Sequence, residues 1–279
     1  MIIDTHLHIV DWSAVRYPWT ASEPALNRDF LYEEYAIEAR RGGITQALHM
    51  EVDVDPADIQ AEIDYVTRKA REPNSMIGGA LVACRPEEPG FPAFLERQQA
   101  NPLVKGFRRV LHVVPDDVSE SALFRENIRR LSGTGLTFDL VVPPRLIPKA
   151  VELVDLAPDV QFVLDHCGVP DIKGNAEHPW REHMSEIARR PNIVGKISGV
   201  VAYADPGNWT VETLRPYVEH VIGSFGWDRV VWGSDWPVCT LGGGLSTWLA
   251  ATHALIAGAS DDERARLLSG NARGIWRLP

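Results

Sequence analysis

The sequence has few cysteines, and it contains neither a long apolar run nor a cluster of basic residues. Its 279 residues include only Cys84, Cys167 and Cys239, too few and too scattered for a disulfide framework. No stretch approaches the roughly 20 apolar residues of a membrane-spanning helix, and the first residues lack the pattern of a secretory signal. These absences predict a protein of a reducing compartment, the cytoplasm, with no membrane partner.

Positive charge is also scarce relative to negative charge. Lys and Arg number 28 against 38 Asp and Glu, which gives a formal net charge of -10 at pH 7. Nucleic acids reward clustered Lys and Arg, so no nucleic-acid partner is expected. With 45% hydrophobic and 24% charged residues, the composition is that of a globular enzyme, and the length allows one large domain or two smaller ones.

Short apolar and β-branched runs recur along the chain, with helical spacing between them. Eight of these runs predict strands, at residues 1–8, 44–50, 77–83, 104–112, 136–142, 160–165, 192–198 and 229–233. Helical patterns lie between or after them, at residues 33–41, 56–71, 120–132, 148–156, 178–190, 211–225, 245–257 and 261–268.

Eight strands alternating with helices favour an α/β fold, a single-domain (β/α)₈ TIM barrel over residues 1–279. A doubly wound sheet is the second alternative. It usually has fewer strands, and no glycine-rich phosphate turn follows the first strand here.

The most informative motif is His6-Leu7-His8 at the end of the first predicted strand. Side chains alternate along a strand, so the two imidazoles should point the same way, and barrel enzymes carry their catalytic groups at the carboxyl ends of strands. Other predicted strands carry chemically active side chains at or near their ends: Arg108 and His112, Asp165 and His166, and Ser234 and Asp235. An active site on this rim is therefore expected.

In this order, the motifs resemble those of the amidohydrolase superfamily, and more narrowly of its amidohydrolase-2 branch of L-fuconolactonase-like and L-rhamnonolactonase-like sugar lactone hydrolases. The resemblance rests on His-x-His, His166, Asp235 and the segments YPW (17–19), LNRDF (26–30), VKGFRRV, GLTFDLVV, FVLDH, KISGVV, VVWGSDWPVC and GNA (270–272). It implies a barrel hydrolase that opens a small lactone.

The sequence departs from the binuclear members of that superfamily. Strand four carries Arg108 instead of a metal-bridging Lys or Glu, and strand five ends without a histidine. An Arg cannot be carbamylated to bridge two metals. The resemblance therefore implies one divalent ion such as Zn²⁺, held by His6, His8, His166 and Asp235. Some lactonases of this branch are thought to need no metal, in which case the same residues act through hydrogen bonds alone.

Three residues are assigned catalytic roles in this hypothesis. Asp235 is the expected general base, although a helix N-cap would also explain it. Arg108 is expected to polarise the lactone carbonyl, although a structural salt bridge is the alternative. His166 is expected to bind metal or to orient Asp235 or water, unless it is only a buried, hydrogen-bonded histidine.

The remaining assignments concern substrate binding. His112 and Arg145 could contact the substrate or have plain loop roles, and Trp19 and Trp236 could stack on a sugar ring or fill the core. Polar residues of strand seven, Lys196 and Ser198, could serve function or internal hydrogen bonding equally.

Substrate class and assembly stay less determined. A neutral sugar lactone agrees with the acidic composition. An aromatic or dicarboxylate lactone would require several arginines around the pocket to bind its carboxylates. Arg16, Arg108 and Arg145 could meet this requirement if the fold brings them together. A metal-dependent decarboxylase of the same superfamily is the remaining alternative. The sequence leaves a homo-oligomer open.

Overall fold

The computed structural model describes residues 1–279, and parallel strands form its centre. They make one eight-stranded sheet in sequence order, β1 to β8. The strands are β1 Ile2–Leu7, β2 Ile44–Met50, β3 Ile77–Ala83, β4 Val104–Val110, β5 Thr137–Val141, β6 Phe162–Leu164, β7 Ile193–Ile197 and β8 Val230–Trp232. Because both faces of these strands are covered, they read as nearly continuous apolar runs.

Helices follow the strands and pack around the sheet. They are α1 Tyr32–Arg41, α2 Ile59–Ala70, α3 Phe91–Gln99, α4 Ala122–Arg129, α5 Ile147–Leu156, α6 Trp180–Ile187, α7 Val200–Tyr203, α8 Val211–Phe225, α9 Leu245–Leu255, α10 Asp261–Ala265 and α11 Asn271–Trp276. Helix α3 connects β3 to β4, a connection for which the sequence patterns named no helix. No helix is both long and apolar enough to cross a bilayer.

The segment after β8 brings the sheet round to β1. The backbone N–H of Asp235 donates to the carbonyl of His6 at 2.9 Å, and that of His8 donates to the carbonyl of Trp236 at 2.8 Å. A parallel bridge joins Leu7 to Trp236. The nearly closed sheet with its outer helices is a TIM barrel, which confirms the predicted fold class.

The observed strand ends differ slightly from the predicted ones. Strand β6 covers only Phe162–Leu164, because Asp165 begins a turn in which His166 and Cys167 adopt left-handed backbone angles. Strand β4 ends at Val110, so His112 lies in the loop that follows it. Both differences move site residues off the strands and onto the rim of the barrel.

The barrel interior contains two layers of different chemistry. Seven strand side chains pack with the C-terminal segment into an apolar cluster at one level of the interior: Ile3, Leu48, Met50, Leu81, Val163, Val194 and Val231, together with Ala272, Trp276 and Leu278. Buried polar and charged side chains form the other layer, among them His6 of β1, Arg108 of β4, Asp139 of β5 and Lys196 of β7. Of the predicted site residues, this layer holds His6 and Arg108, and His8, His166 and Asp235 are buried next to it.

Candidate active site

The two histidines of the first motif converge as strand alternation predicts. Their Nε2 atoms lie 3.2 Å apart, and both side chains are buried. His8 donates through Nδ1 to the carbonyl oxygen of Met50 at 3.0 Å, so Nε2 is the ring nitrogen that faces His6. Burial lowers the pKa of His6 well below its ordinary value, so this imidazole is neutral at neutral pH.

Asp235 lies against both histidines. It follows β8 with a left-handed φ of 57°, a conformation that non-glycine residues rarely adopt. Its Oδ1 lies 3.6 Å from His6 Nε2 and 3.4 Å from His8 Nε2. The side chain is almost fully buried, yet this oxygen has no hydrogen-bond partner. An unpartnered buried carboxylate oxygen is costly and is typical of a site that receives a ligand.

His166 reaches the same site from a strained turn. Its φ is 54°, and the following residues Cys167 and Val169 also have positive φ. His166 Nδ1 lies 2.9 Å from Ser198 Oγ and 3.9 Å from Asp235 Oδ2. A Cβ on Gly199 would lie 2.7 Å from His166 Nδ1 and 3.1 Å from Asp235 Oδ2. Glycine is therefore needed there for the two side chains to approach each other.

Arg108 lies beside the histidines and is held by a partner that the sequence did not indicate. Its Nε donates to Glu51 Oε1 at 2.6 Å and its Nη2 to the Glu51 carbonyl at 2.8 Å. Its Nη1 lies 3.3 Å from His6 Nε2 and 3.5 Å from Asp165 Oδ2. Burial opposes the charge, but Glu51 and Asp165 raise the pKa of Arg108 above its ordinary value, so the guanidinium stays protonated.

A buried ion network lies behind the histidines. Lys196 Nζ lies 2.6 Å from Asp139 Oδ2 and 2.7 Å from Asp165 Oδ1, and all three side chains are inaccessible to solvent. Burial alone would lower the pKa of Lys196, but the two carboxylates raise it. Lys196 therefore occupies an internal ion network, and Asp165 links this network to His6 Nδ1 at 3.6 Å.

A cavity of about 350 Å³ opens above these groups. Its polar floor consists of His8, Arg108, His166 and Asp235. Most of its walls are apolar: Val10, Leu26, Val52, Val110, Val113, Val141, Pro237, Val238 and Leu241. The volume is that of a site for one small molecule.

The four predicted substrate-binding residues divide into two groups. Trp19 and His112 line the cavity. Arg145 does not line it. Its guanidinium is largely exposed and bonded to Asp116 at 2.7 Å. Trp236 is also absent from the cavity wall, because its ring is buried against Phe30 and Tyr35. Arg145 follows β5 and Trp236 follows β8, so their positions in the sequence suggest the rim. The loop conformation instead directs Arg145 toward Asp116 and Trp236 toward Phe30 and Tyr35.

Several residues that line the cavity or hold its floor in place carry no role in the sequence-based hypothesis. Glu51 and Asp53 follow β2 in the segment MEVDVD, and acidic residues directly after a buried strand were a usable signal. Tyr203 lines the cavity from α7, and its ring lies 6.0 Å from that of His166. No local pattern marks Tyr203, because only the packing of α7 against the rim brings it there.

The acceptor atoms fit a divalent metal ion. His6 Nε2, His8 Nε2 and Asp235 Oδ1 are separated by 3.2, 3.4 and 3.6 Å. Ligand bonds of about 2.0–2.1 Å in a tetrahedral zinc site require about 3.3–3.4 Å between ligand atoms. A second group, His6, Asp165 and His166, also has its ligand atoms within 4.8 Å. Asp165 of the second group is already paired with Lys196 at 2.7 Å, whereas Asp235 Oδ1 has neither a hydrogen bond nor a Lys or Arg partner, which supports the first group.

Comparison with known proteins places the chain in a family. The profile of the amidohydrolase family Amidohydro_2 matches residues 3–278. The chain is 27% identical to an L-fucono-1,5-lactonase of Burkholderia ambifaria, over 99% of this chain and 95% of the relative. It is 26% identical to a 4-sulfomuconolactone hydrolase of Rhizobium radiobacter, over 84% of this chain and 75% of that one.

A solved structure shares the whole fold. The crystal structure of an amidohydrolase from Burkholderia multivorans with bound Zn superposes with a TM-score of 0.90 at 24% identity, over 100% of both chains. This agreement extends the barrel assignment to the complete chain.

Proposed function

The chain belongs to the amidohydrolase-2 family and is a hydrolase of the amidohydrolase superfamily, and on this premise we propose that it opens the ring of a small sugar lactone. One observation carries the proposal. The unpartnered oxygen of Asp235 lies at the floor of a cavity that also exposes Arg108, within reach of one bound molecule. Lactone hydrolysis needs this combination of a base and a cationic group.

Asp235 acts as the general base. It takes a proton from water as the water oxygen bonds to the lactone carbonyl carbon. The tetrahedral intermediate then breaks the bond between this carbon and the ring oxygen, and the proton returns to the leaving oxygen. The product is the open hydroxy acid. His166, close to Asp235 Oδ2, orients this carboxylate.

Arg108 stabilises the negative charge that develops on the carbonyl oxygen. It lines the cavity, stays protonated, and is fixed in direction by Glu51. A charge that is already oriented before the reaction needs no reorganisation in the transition state, and such groups are the main source of rate in acyl transfer. Arg108 therefore forms a structural ion pair with Glu51 and, in this proposal, also polarises the lactone carbonyl.

A divalent ion would be held by His6, His8 and Asp235, with His166 nearby. When bound, it would supply a Lewis acid for the carbonyl and for water. Burial keeps His6 in the neutral form that metal binding requires, and His8 directs Nε2 toward the site because its Nδ1 is bonded to the Met50 carbonyl.

The charges on the cavity wall favour a neutral, hydroxylated lactone. Arg108 is the only Arg or Lys among the lining residues, whereas Glu23, Asp53 and Asp235 are acidic. Arg16 and Arg145 do not join it, because they are exposed and paired with carboxylates. A dicarboxylate would meet more negative than positive charge here. The L-fucono-1,5-lactonase relative supports the same substrate class.

The test is hydrolysis of a panel of aldonolactones, followed with a pH indicator, by wild type and Asp235→Asn. We expect rapid turnover of one or two sugars and a loss of about 10²- to 10⁴-fold in the variant, as removal of a general base predicts. Unchanged turnover by the variant would overturn the mechanism. If no sugar lactone reacts, aromatic or dicarboxylate lactones come next. Activity that survives exhaustive chelation would exclude a metal-dependent decarboxylase.

A further inference from the structure

Asp53 presents to the cavity a carboxylate that is paired with Arg85 at 3.8 Å but accepts no hydrogen bond from the protein. It follows β2, lines the cavity wall, and its side chain is 28% exposed. The nearest cation, Arg85 Nη2, lies 3.8 Å from Asp53 Oδ1, which is beyond hydrogen-bonding distance. The side chain of Asp53 accepts no hydrogen bond from the protein, so its acceptor capacity remains available to a bound molecule.

The backbone of Asp53 is held in an unusual conformation. Its φ is 47°, in the left-handed region, and its N–H donates to Glu51 Oε2 at 2.7 Å. The other oxygen of Glu51 accepts from Arg108 Nε at 2.6 Å. One carboxylate therefore fixes both Arg108 and Asp53, and it sets the position of the Asp53 side chain relative to the proposed carbonyl site. Backbone strain of this kind is commonly retained where a side chain must be aimed.

An aromatic side chain lies next to Asp53. The indole N–H of Trp19 donates to the carbonyl of Val52 at 2.7 Å, and both residues line the cavity. Carboxylates accept strong hydrogen bonds from hydroxyl groups, and aromatic faces pack on the C–H faces of sugar rings. The pair Asp53 and Trp19 has the chemistry of a site for a polyhydroxylated ring.

We infer that Asp53 is the specificity-determining residue for substrate hydroxyl groups, which it binds while the carbonyl lies beside Arg108. The inference rests on the proposed lactonase function. It also predicts a preference for neutral over anionic rings, because a carboxylate at Asp53 attracts hydroxyl donors and repels a carboxylate substituent.

Two variants alter the acceptor without changing the backbone: Asp53→Asn removes the charge but keeps one amide oxygen, and Asp53→Gly removes the whole side chain. Asn tolerates a left-handed φ and glycine adopts it freely, so Asp53→Asn and Asp53→Gly are the useful substitutions. Exposed Asp64 on α2, which bonds only to Gln60, offers the control Asp64→Asn. Each protein is assayed for kcat/KM on its best aldono-1,5-lactone and on δ-valerolactone, which has the same ring without hydroxyls.

We expect Asp53→Gly to lower kcat/KM for the aldonolactone by roughly 10- to 100-fold, the range of a hydrogen bond to a charged group, and Asp53→Asn to lower it less. δ-Valerolactone turnover should change less than about twofold, and the control should behave as wild type. Equal losses on both lactones would overturn the inference while leaving the lactonase function intact.

A binding measurement tests hydroxyl recognition by Asp53 independently of the proposed lactonase activity. The 1,5-lactams of the sugars in the panel and 2-piperidone, titrated by calorimetry, test hydroxyl recognition without hydrolysis. Weaker binding of the sugar lactam by Asp53→Gly, by the same factor as above, supports the inference even if no lactone is hydrolysed. Identical binding of the sugar lactam by wild type and variant would overturn it.

Discussion

The two layers inside the barrel are both built largely from strand side chains but have opposite chemistry. In one layer, side chains such as Leu48, Leu81 and Val231 pack against Trp276 of the C-terminal helix. In the other, Arg108, Lys196 and their carboxylate partners are equally buried but charged. The comparison shows that one layer of the barrel stabilises the fold and the other carries the chemically active groups. Burying paired charges seldom stabilises a fold, so the apolar layer must offset the free-energy cost of the charged layer.

The largest expected effect comes from breaking the ion network of the charged layer. Lys196→Met keeps most of the side-chain volume but leaves Asp139 without its cation and Asp165 with only Arg108, 3.5 Å away. Removing one partner of a buried ion pair costs about 3–5 kcal/mol, so the free energy of unfolding measured with urea should fall by that amount.

Two further variants make this prediction specific. Adding Asp139→Asn to Lys196→Met should recover part of the loss, because it removes the buried carboxylate whose cation was lost. Lys149→Met, at a partly exposed lysine paired with Glu120, should change stability by less than about 1 kcal/mol. An unfolding midpoint that does not move in Lys196→Met would contradict the network.

An intermediate effect is expected from the apolar layer. Leu81 is completely buried, and Leu81→Ala should lower the free energy of unfolding by about 2–5 kcal/mol through lost transfer energy and a cavity. Its kcat/KM below the unfolding transition should stay at the wild-type value, because Leu81 does not line the active-site cavity. Ile37→Ala, exposed on α1, is the control. A fall in kcat/KM for the folded Leu81 variant would show that the layers are coupled.

The smallest stability effect, with a large effect on activity, is expected at Gly199. Alanine there adopts φ near 70° at a cost of about 1–2 kcal/mol. The new Cβ would also displace His166 from Asp235, and a displacement of about 1 Å can cost roughly 10²-fold in rate. Gly133→Ala is the matched control, because Gly133 has φ of 75° with no atom near its Cβ position. Equal activity of the two variants would contradict the proposed contact.

The strands and the histidine pair could be predicted because both depend on local periodicity. Buried parallel strands are marked by short apolar runs, and all eight appear in the predicted order. Alternation along β1 puts His6 and His8 on one side whatever the rest of the chain does. The resemblance of the motif set to amidohydrolases is confirmed by the family match over residues 3–278.

The remaining features depend on contacts between distant residues. Arg108 and Glu51 are 57 residues apart in sequence, as are Lys196 and Asp139, and no local pattern relates them. Arg145 and Trp236 were expected at the substrate, yet one points to Asp116 and the other packs on Phe30. A loop conformation, which short-range patterns do not determine, decides each of these directions.

By itself the sequence determined the order of strand and helix units, and it determined which chemically active residues stand at the strand ends. Hydrophobic periodicity encodes both, because the spacing of the buried side chains along each segment indicates whether it is a strand or a helix and where it ends. Only the tertiary structure decided which of those residues meet. It directed Asp235 at His6 and His8, bound Arg108 to Glu51, and turned Asp53 into the cavity. These outcomes follow from barrel closure and from strained rim turns, whose energies depend on partners far away in the chain.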